Sequence, residues 1–383
     1  MNNITPKFLC HDIHTGLNIS WTNKGWLTEP CCFTENIHKE ISNVNKSNWF
    51  NSLWPKLRKD NIANKPLDNI ICKKCIIPEK LGQKSKRLGE LEKRGEVLPN
   101  KIVGPKFLEI LFDYTCNNAC MICRPSLSSL WRKYSNDKKY YNDALSTRND
   151  IKDLIKNLNL SSLDTIQIIG GEPLLTNRHL EFIEELASKG CDLSKIDLWY
   201  HTNGSIKVSK DVLNLWKKFN KVFLYFSIDD IEQGFEYQRF PSKWDILNDN
   251  LRWYIKNVSP YVYPRMERSI SILNIHRLPL LEEWKNKNFL KNNFDYEIYL
   301  NDHYVHSLYC LDNISKKHID FIQNNHPDVF NKHLKQYLKI KKIKPSSAIE
   351  QEILNFTLSQ DTKRNISIDS YFPEFKNLYT VNQ

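Results

Sequence analysis

The chain has 383 residues, 40% of them hydrophobic, and a formal net charge of +11. That is enough apolar material for one large domain with appendages, or for two to three domains, and no apolar run reaches the about 18 residues that a membrane span needs. Residues 1–6 show no basic segment with an apolar stretch behind it, so no secretory signal is expected and the expected compartment is the cytoplasm.

Ten cysteines in a cytoplasmic chain argue for metal rather than disulfides. The positive charge would suit an acidic protein partner or a nucleic acid. The lysines are spread along the chain rather than clustered, which makes nucleic acid the lesser reading.

The first predicted element is a β-hairpin. Leu17–Trp21 and Trp26–Glu29 alternate apolar with polar residues on either side of an Asn23-Lys24-Gly25 turn. Cys10 precedes it and Cys31-Cys32 follow it. A helix is predicted over 47–58, and then Cys72 and Cys75 form a C-x2-C pair of the kind that grips one metal centre. One cysteine before the hairpin, one after it and the pair make four ligands, for an iron–sulfur cluster or a structural zinc. Cys31 and Cys32 compete for one position. Residues 80–104, rich in Lys, Glu and Gly, predict a linker helix and a turn.

Residues 107–113 are short, apolar and β-prone, and predict a buried strand. Directly after it come Cys116, Cys120 and Cys123, at spacing C-x3-C-x2-C. Three thiols on a loop at the C-terminal end of a strand sit where α/β folds place their chemistry. A 4Fe–4S cube held by three protein thiolates keeps one iron open for a ligand that is not protein. A single zinc ion would need a fourth Cys or His close by, and the next one in the chain is His179.

This stretch resembles the cysteine motif of the radical S-adenosylmethionine (SAM) superfamily. The N-terminal cysteines resemble the twitch or SPASM-like auxiliary-cluster module that accompanies such barrels, here placed before the barrel, with Glu79, Gly82, Ser85 and Arg87 fitting the same subgroup. The resemblance implies a second 4Fe–4S cluster on Cys10, Cys32, Cys72 and Cys75; it places the ligand at the second of the two adjacent cysteines. It implies a mixed α/β fold: a partial (β/α)6 TIM-type barrel over 105–300 with an N-terminal β-hairpin iron–sulfur module over 1–104; residues 301–383, beyond the resemblance, read from their own pattern as a helical C-terminal extension.

The remaining elements alternate as such a barrel would. Strands are expected at 107–113, 164–169, 196–201, 221–228, 268–273 and 294–299, and helices near 125–135, 147–159, 176–188, 208–219, 243–257 and 278–288. After the second strand, Gly170-Gly171-Glu172-Pro173 lets backbone approach a ligand, and Pro173 suits the first turn of a helix. In the resembled family the matching motif binds the amino group of the methionine moiety. After the third strand come Thr202 and Asn203, matching the family's TNG motif that faces the SAM pocket. After the fourth come Ser227 and Asp229, whose hydroxyl and carboxylate suit ribose hydroxyls or an ammonium. The resemblance assigns Arg239 to the SAM carboxylate and Ile122 to the adenine.

The segment 315–358 reads as polar helix, and the aromatic residues Tyr371, Phe372, Phe375 and Tyr379 predict that the end of the chain docks onto the body. Cys191 and Cys310 stand alone and are expected to be buried structural thiols. The function implied is an enzyme, an oxidoreductase or maturase. It would cleave SAM to a 5′-deoxyadenosyl radical that takes hydrogen from a peptide or small-molecule substrate, with electrons from a flavodoxin- or ferredoxin-type donor. Two rival readings remain: an RNA-modifying radical SAM enzyme, motivated by the charge, and a non-catalytic iron–sulfur or zinc protein. The second rival would have no use for Gly170, Gly171 and Glu172.

Overall fold

The computed structural model describes residues 8–22, 25–31, 39–40, 53–67, 70–80, 82, 84–95, 102, 104–135, 151–156, 158–257, 260–289, 300–304, 307–341, 343 and 346–380. The fold is mixed α/β. Its contacts divide it into two compact units. The first comprises 1–113, 142–200 and 209–222; the second comprises 114–141, 201–208 and 223–383.

In the first unit the strands lie in the order β3-β2-β1-β4-β5-β6. They are β1 (Gly16–Thr22), β2 (Gly25–Glu29), β3 (Lys39–Glu40), β4 (Phe107–Leu111), β5 (Thr165–Ile169) and β6 (Asp197–Thr202), the last two residues of β6 belonging to the second unit. β1 and β2 form an antiparallel hairpin closed at Thr22 and Gly25. β1 also pairs in parallel with β4, Gly16 opposite Phe107, so the N-terminal hairpin extends the same sheet that carries the cysteine loop's strand. β4, β5 and β6 continue in parallel. All five residues of β4 are buried, as a central parallel strand with both faces covered requires. One polar group is kept inside: Glu109 is 1% exposed and accepts from Gln167 on β5 at 2.8 Å and from Asn18 on β1. That network ties three strands into one register, because a one-residue slip would strand a buried carboxylate. The helix Arg178–Ser188 covers the sheet with Phe182, Ile183 and Leu186, and Phe182 meets Phe112 with ring centroids 5.4 Å apart.

The second unit holds β7 (Lys221–Ser227, its first two residues in the first unit), β8 (Val262–Ile270) and β9 (Leu300–Tyr304), in that order, with β8 and β9 parallel. β8, and β7 after its exposed first residue Lys221, alternate buried and half-buried residues. The helices Trp244–Asn257 and Leu278–Asn288 follow β7 and β8 in the chain. The C-terminal segment belongs entirely to this unit. Its last aromatic residues are buried: Phe372, Phe375 and Tyr379 have no exposed surface, and Tyr379 meets His318 at 3.0 Å.

Three expected elements differ, and a fourth cannot be compared. Of the helix expected over 47–58, residues 47–52 lie outside the described residues, and the helix described there is Pro55–Ile62. Residues 125–135 form turns and a single 3-10 turn, Trp131–Tyr134, because Ser128 and Ser129 spend their hydroxyls on the loop backbone. The strand expected at 268–273 is instead Val262–Ile270, which carries Pro264, Arg265 and Glu267 that read against a strand. Residues 294–299 lie outside the described residues, and β9 starts at Leu300. Cys191 and Cys310, expected to be buried, are partly exposed. Among the described residues no helix is long and apolar enough to cross a membrane.

Candidate functional site

The central cysteine loop leaves β4 and is pinned by its own backbone. Ala119 N–H donates to Phe240 O at 2.7 Å and Met121 N–H to Gln238 O at 2.8 Å, so the segment before the helix Trp244–Asn257 braces the loop as a short strand would. The Trp131 indole donates to Cys120 O at 2.7 Å, and Ser129 Oγ accepts from Cys116 N at 3.0 Å. Asn117 and Asn203 are joined at 2.7 Å, and Asn117 also donates to Ser205 Oγ at 2.9 Å. The turn after β6 thus holds the loop. Thr202, 2% exposed, accepts from Gly204 N–H at 3.1 Å. Gly204 has φ +74, and a side chain there would meet Phe226 at 2.9 Å, so the turn requires glycine.

Cys116, Cys120 and Cys123 are half-buried, as is Ile122 between them. Burial pushes the Cys120 thiol up, although Arg239 and Arg364 oppose the shift. Burial, then the neighbouring Cys120, pushes Cys123 up to about 12. Left alone, these groups stay protonated; a bound metal supplies the positive charge that turns them into thiolates.

Asp229 and Arg239, expected as two separate SAM contacts, face each other in an ion pair at 2.8 Å. Asp229 is 2% exposed and also accepts from Ser269 N–H at 2.8 Å. Ser227, at the end of β7, is half-buried. The second unit therefore brings together the three cysteines, Ile122, Asn203, Asp229 and Arg239.

Gly170–Pro173 belong to the first unit. Gly170 has φ +149, and a Cβ there would stand 2.8 Å from Asp113 O, so the turn after β5 packs against the end of β4 at a distance only glycine permits. Gly171 N–H reaches the same carbonyl at 3.4 Å. Glu172 is 2% exposed and caps the 3-10 turn Pro173–Leu175 by accepting from Leu174 N–H at 3.1 Å.

The N-terminal cysteines form a second group within the first unit. Cys10, Cys31, Cys72 and Cys75 are each 7–8% exposed. Cys72 O accepts from Cys75 N–H at 3.0 Å and Ile76 N–H at 3.1 Å, so the C-x2-C pair opens the helix Lys73–Lys80. Behind it, Arg87 grips Glu79 with two bonds, 2.9 and 2.5 Å, and donates to Leu9 O at 3.0 Å; Ser85 reaches Glu79 at 2.5 Å. These residues tie the segment before Cys10 to the helix that carries Cys75. Burial, then Asp12, then Cys31 push the Cys10 thiol well up, while burial, then Cys31, push Cys75 up to about 12. Cys31 lies 3.5 Å from Asp12 Oδ2 and 3.8 Å from Lys86 Nζ. Cys32, the predicted ligand, lies outside the described residues.

Among the described residues no three His, Cys, Asp or Glu side chains converge as the ligands of a single ion would. A 4Fe–4S cube takes each thiolate on a different iron, and the cysteine-only composition of both groups is the donor chemistry it requires. The signals that sequence reading missed are Arg364, Met121 and Trp131. Arg364 is 243 residues from Met121 in the chain, yet its guanidinium reaches the Met121 sulfur at 2.9 Å. No local pattern announces such a contact.

No family model matches the chain, and no curated protein sequence matches it. Among solved structures it is similar to native anSMEcpe with bound AdoMet at 16% identity, covering 66% of this chain and 66% of that one, with a TM-score of 0.37. It is similar to Streptococcus suis SuiB bound to S-adenosylmethionine at 10% identity, covering 86% and 69%, with a TM-score of 0.35. The SuiB structure bound to precursor peptide SuiA gives 13% identity, coverage of 96% and 74%, and a TM-score of 0.35. The chain thus spans just under two thirds of the length of anSMEcpe.

Proposed function

We propose that this chain is a radical SAM enzyme with a partial (β/α)6 barrel, a 4Fe–4S cluster on Cys116, Cys120 and Cys123, and an auxiliary cluster on the N-terminal cysteines. The observation that carries the reading is the braced C-x3-C-x2-C loop. Its three thiols are half-buried rather than enclosed, and two buried guanidinium groups, Arg239 and Arg364, draw the Cys120 thiol down against the effect of burial. Bound there, the cluster supplies one-electron reduction of the SAM sulfonium, releasing a 5′-deoxyadenosyl radical that takes a hydrogen atom from a peptide or small-molecule substrate.

The chain's own residues place and shield. The hydrogen bonds at Ala119, Met121 and Cys120 fix the loop before any ligand arrives, which is preorganisation. Ser227 and Asp229 are assigned to ribose hydroxyls, Thr202 and Asn203 to the pocket wall, and Ile122 to the adenine. Gly170, Gly171 and Pro173 shape the turn for the methionine end, with the Glu172 carboxylate for its ammonium. Arg239 holds Asp229, so its part is to aim that carboxylate rather than to reach the SAM carboxylate freely. An acidic flavodoxin- or ferredoxin-type donor fits the net charge of +11.

The test is direct. Anaerobically reconstituted, reduced protein given SAM should form 5′-deoxyadenosine and methionine in equal amounts. Protein holding its full iron and forming neither would sink the reading.

A further inference from the structure

Arg364 is the last residue of the 18-residue helix Ser347–Arg364 and is 5% exposed. Its Nη1 meets the Met121 sulfur at 2.9 Å. Its guanidinium lies over Trp131 at 4.7 Å, Tyr134 at 5.3 Å and Phe240 at 5.7 Å. Met121 sits between Cys120 and Cys123, and Trp131 is the residue that holds Cys120 O. The C-terminal helix therefore delivers a cation to the floor of the cysteine loop.

Among the described residues no carboxylate is bonded to that cation. Arg364 Nε and Nη2 are buried without a hydrogen-bond partner among the described residues. The carboxylate one turn back on the same helix, Asp361, is spent on Tyr237 at 2.7 Å and Ile368 N–H at 2.8 Å. The other buried guanidinium at the loop, Arg239, already has Asp229. Aromatic faces and a helix C-terminus favour a cation, but a thioether is a weak acceptor and none of these replaces the lost hydration of a charged group. Counting ion pairs, Asp229 holds Arg239 and, among the described residues, Arg364 has none. A buried positive charge kept uncompensated calls for a negative partner that arrives later.

We infer that Arg364 is the buried counter-charge for the central iron–sulfur cluster, so that the C-terminal segment completes the site by favouring the cluster's reduced, more negative form. The inference rests on the functional reading above. A cube held by three thiolates carries net negative charge, and the electron it accepts adds another. A fixed cation beside it stabilises the reduced form more than the oxidised one, which raises the reduction potential. Arg364 is a positioning residue: it acts through the charge of the cluster and touches no substrate.

The test compares Arg364→Met, which keeps bulk and removes charge, with Arg364→Lys, which keeps charge. Each is made in the full chain and reconstituted anaerobically. Iron is counted, and the potential of the central cluster is titrated through the part of its reduced spin signal that SAM alters. Arg364→Met is expected to shift the potential to more negative values at unchanged iron content, with Arg364→Lys close to the wild type. Failure of Arg364→Met to take up the cluster, with uptake by Arg364→Lys, supports the same role. Unfolding adds a second readout: without cluster, Arg364→Met should be at least as stable as wild type, because an unpaired buried charge is gone. Loaded with cluster, it should be less stable than wild type. Equal potentials in wild type and Arg364→Met, equal shifts in both variants, or equal destabilisation with and without cluster would leave Arg364 a packing residue and overturn the inference. If the wild type itself shows no SAM-altered signal, the functional reading falls, and that outcome is distinct from the other three.

Discussion

The two cysteine groups carry the same donor and are built in opposite ways. Cys10, Cys31, Cys72 and Cys75 are all buried, and two ion pairs stand around them: Arg87 with Glu79, and Lys86 with Asp12 at 3.3 Å. Cys116, Cys120 and Cys123 are half-buried, and among the described residues the Arg364 guanidinium beside them is bonded to no carboxylate. A cluster that only stores an electron needs enclosure and full protein ligation. A cluster that must admit SAM needs an open iron and a site that tolerates a change of charge. The contrast in burial and in charge matches that division of labour.

The sharpest way to break the comparison is at the central loop. Cys120→Ala removes the thiol flanked by both guanidinium groups and should reduce 5′-deoxyadenosine formation to background, read by chromatography of the quenched reaction. Measurable product in that variant would remove the catalytic role of the trio. Next in size is the N-terminal group. Iron should number about eight per chain with two cubes, and fall to about four in the Cys72→Ala, Cys75→Ala double variant. That variant should still yield 5′-deoxyadenosine but lose substrate turnover. A wild type holding about four irons and one tightly bound zinc would instead make the N-terminal site structural.

Much of this was legible from pattern alone. The helices read at 278–288 and 243–257 are Leu278–Asn288 and Trp244–Asn257, since amphipathic spacing over eleven or more residues is a long-range signal. The hairpin read from the pattern is present: β1 and β2 pair antiparallel as far as Thr22 and Gly25. The failures are local patterns overruled by distant partners. The apolar residues around Trp131 suggest a helix, but that indole serves Cys120, and Ser128 and Ser129 serve the loop backbone. In β8 the charged Arg265 and Glu267 lie on the half-buried face of the strand, which disguises it. Asp229 and Arg239 are ten residues apart, and nothing in that spacing says they bind each other before they bind a ligand. Arg364 is invisible for the same reason: its meaning comes from Met121 and Trp131.

A smaller effect separates the two regions by how they hold charge. Asp229→Asn keeps an acceptor for Ser269 N–H but leaves Arg239 buried without its carboxylate. Breaking one side of a buried pair costs about 3 kcal/mol or more. Urea unfolding should show that loss, and an Asp229→Asn, Arg239→Met double variant should recover part of it. No loss in the single variant would mean the pair is not formed in solution.

The smallest effect concerns acid, and it should fall on the N-terminal region. His14 is 2% exposed, in the short helix after Cys10, and meets Asn61 Oδ1 at 3.1 Å. Asn61 Oδ1 also accepts from Cys10 N–H at 3.1 Å, so the histidine and the cysteine backbone share one anchor. Burial lowers the His14 pKa to about 4, with the Asn61 contact opposing and Arg58 assisting. The unfolded chain takes up that proton near pH 6.5, so it binds more protons than the folded chain between pH 6.5 and 4. Stability therefore falls as the pH drops through that window, by about 2 kcal/mol from this group between pH 7 and pH 5. His179, with its pKa also lowered to about 4 by burial, adds a slope of the same sign elsewhere in the first unit. His14→Gln, which can still donate to Asn61, should flatten its own share of the acid loss and leave the share of His179. The measurement is urea unfolding at pH 7 and pH 5, wild type against variant. An identical acid loss in both would show that His14 is not buried neutral, and that the N-terminal cysteines do not sit in the closed setting described for them.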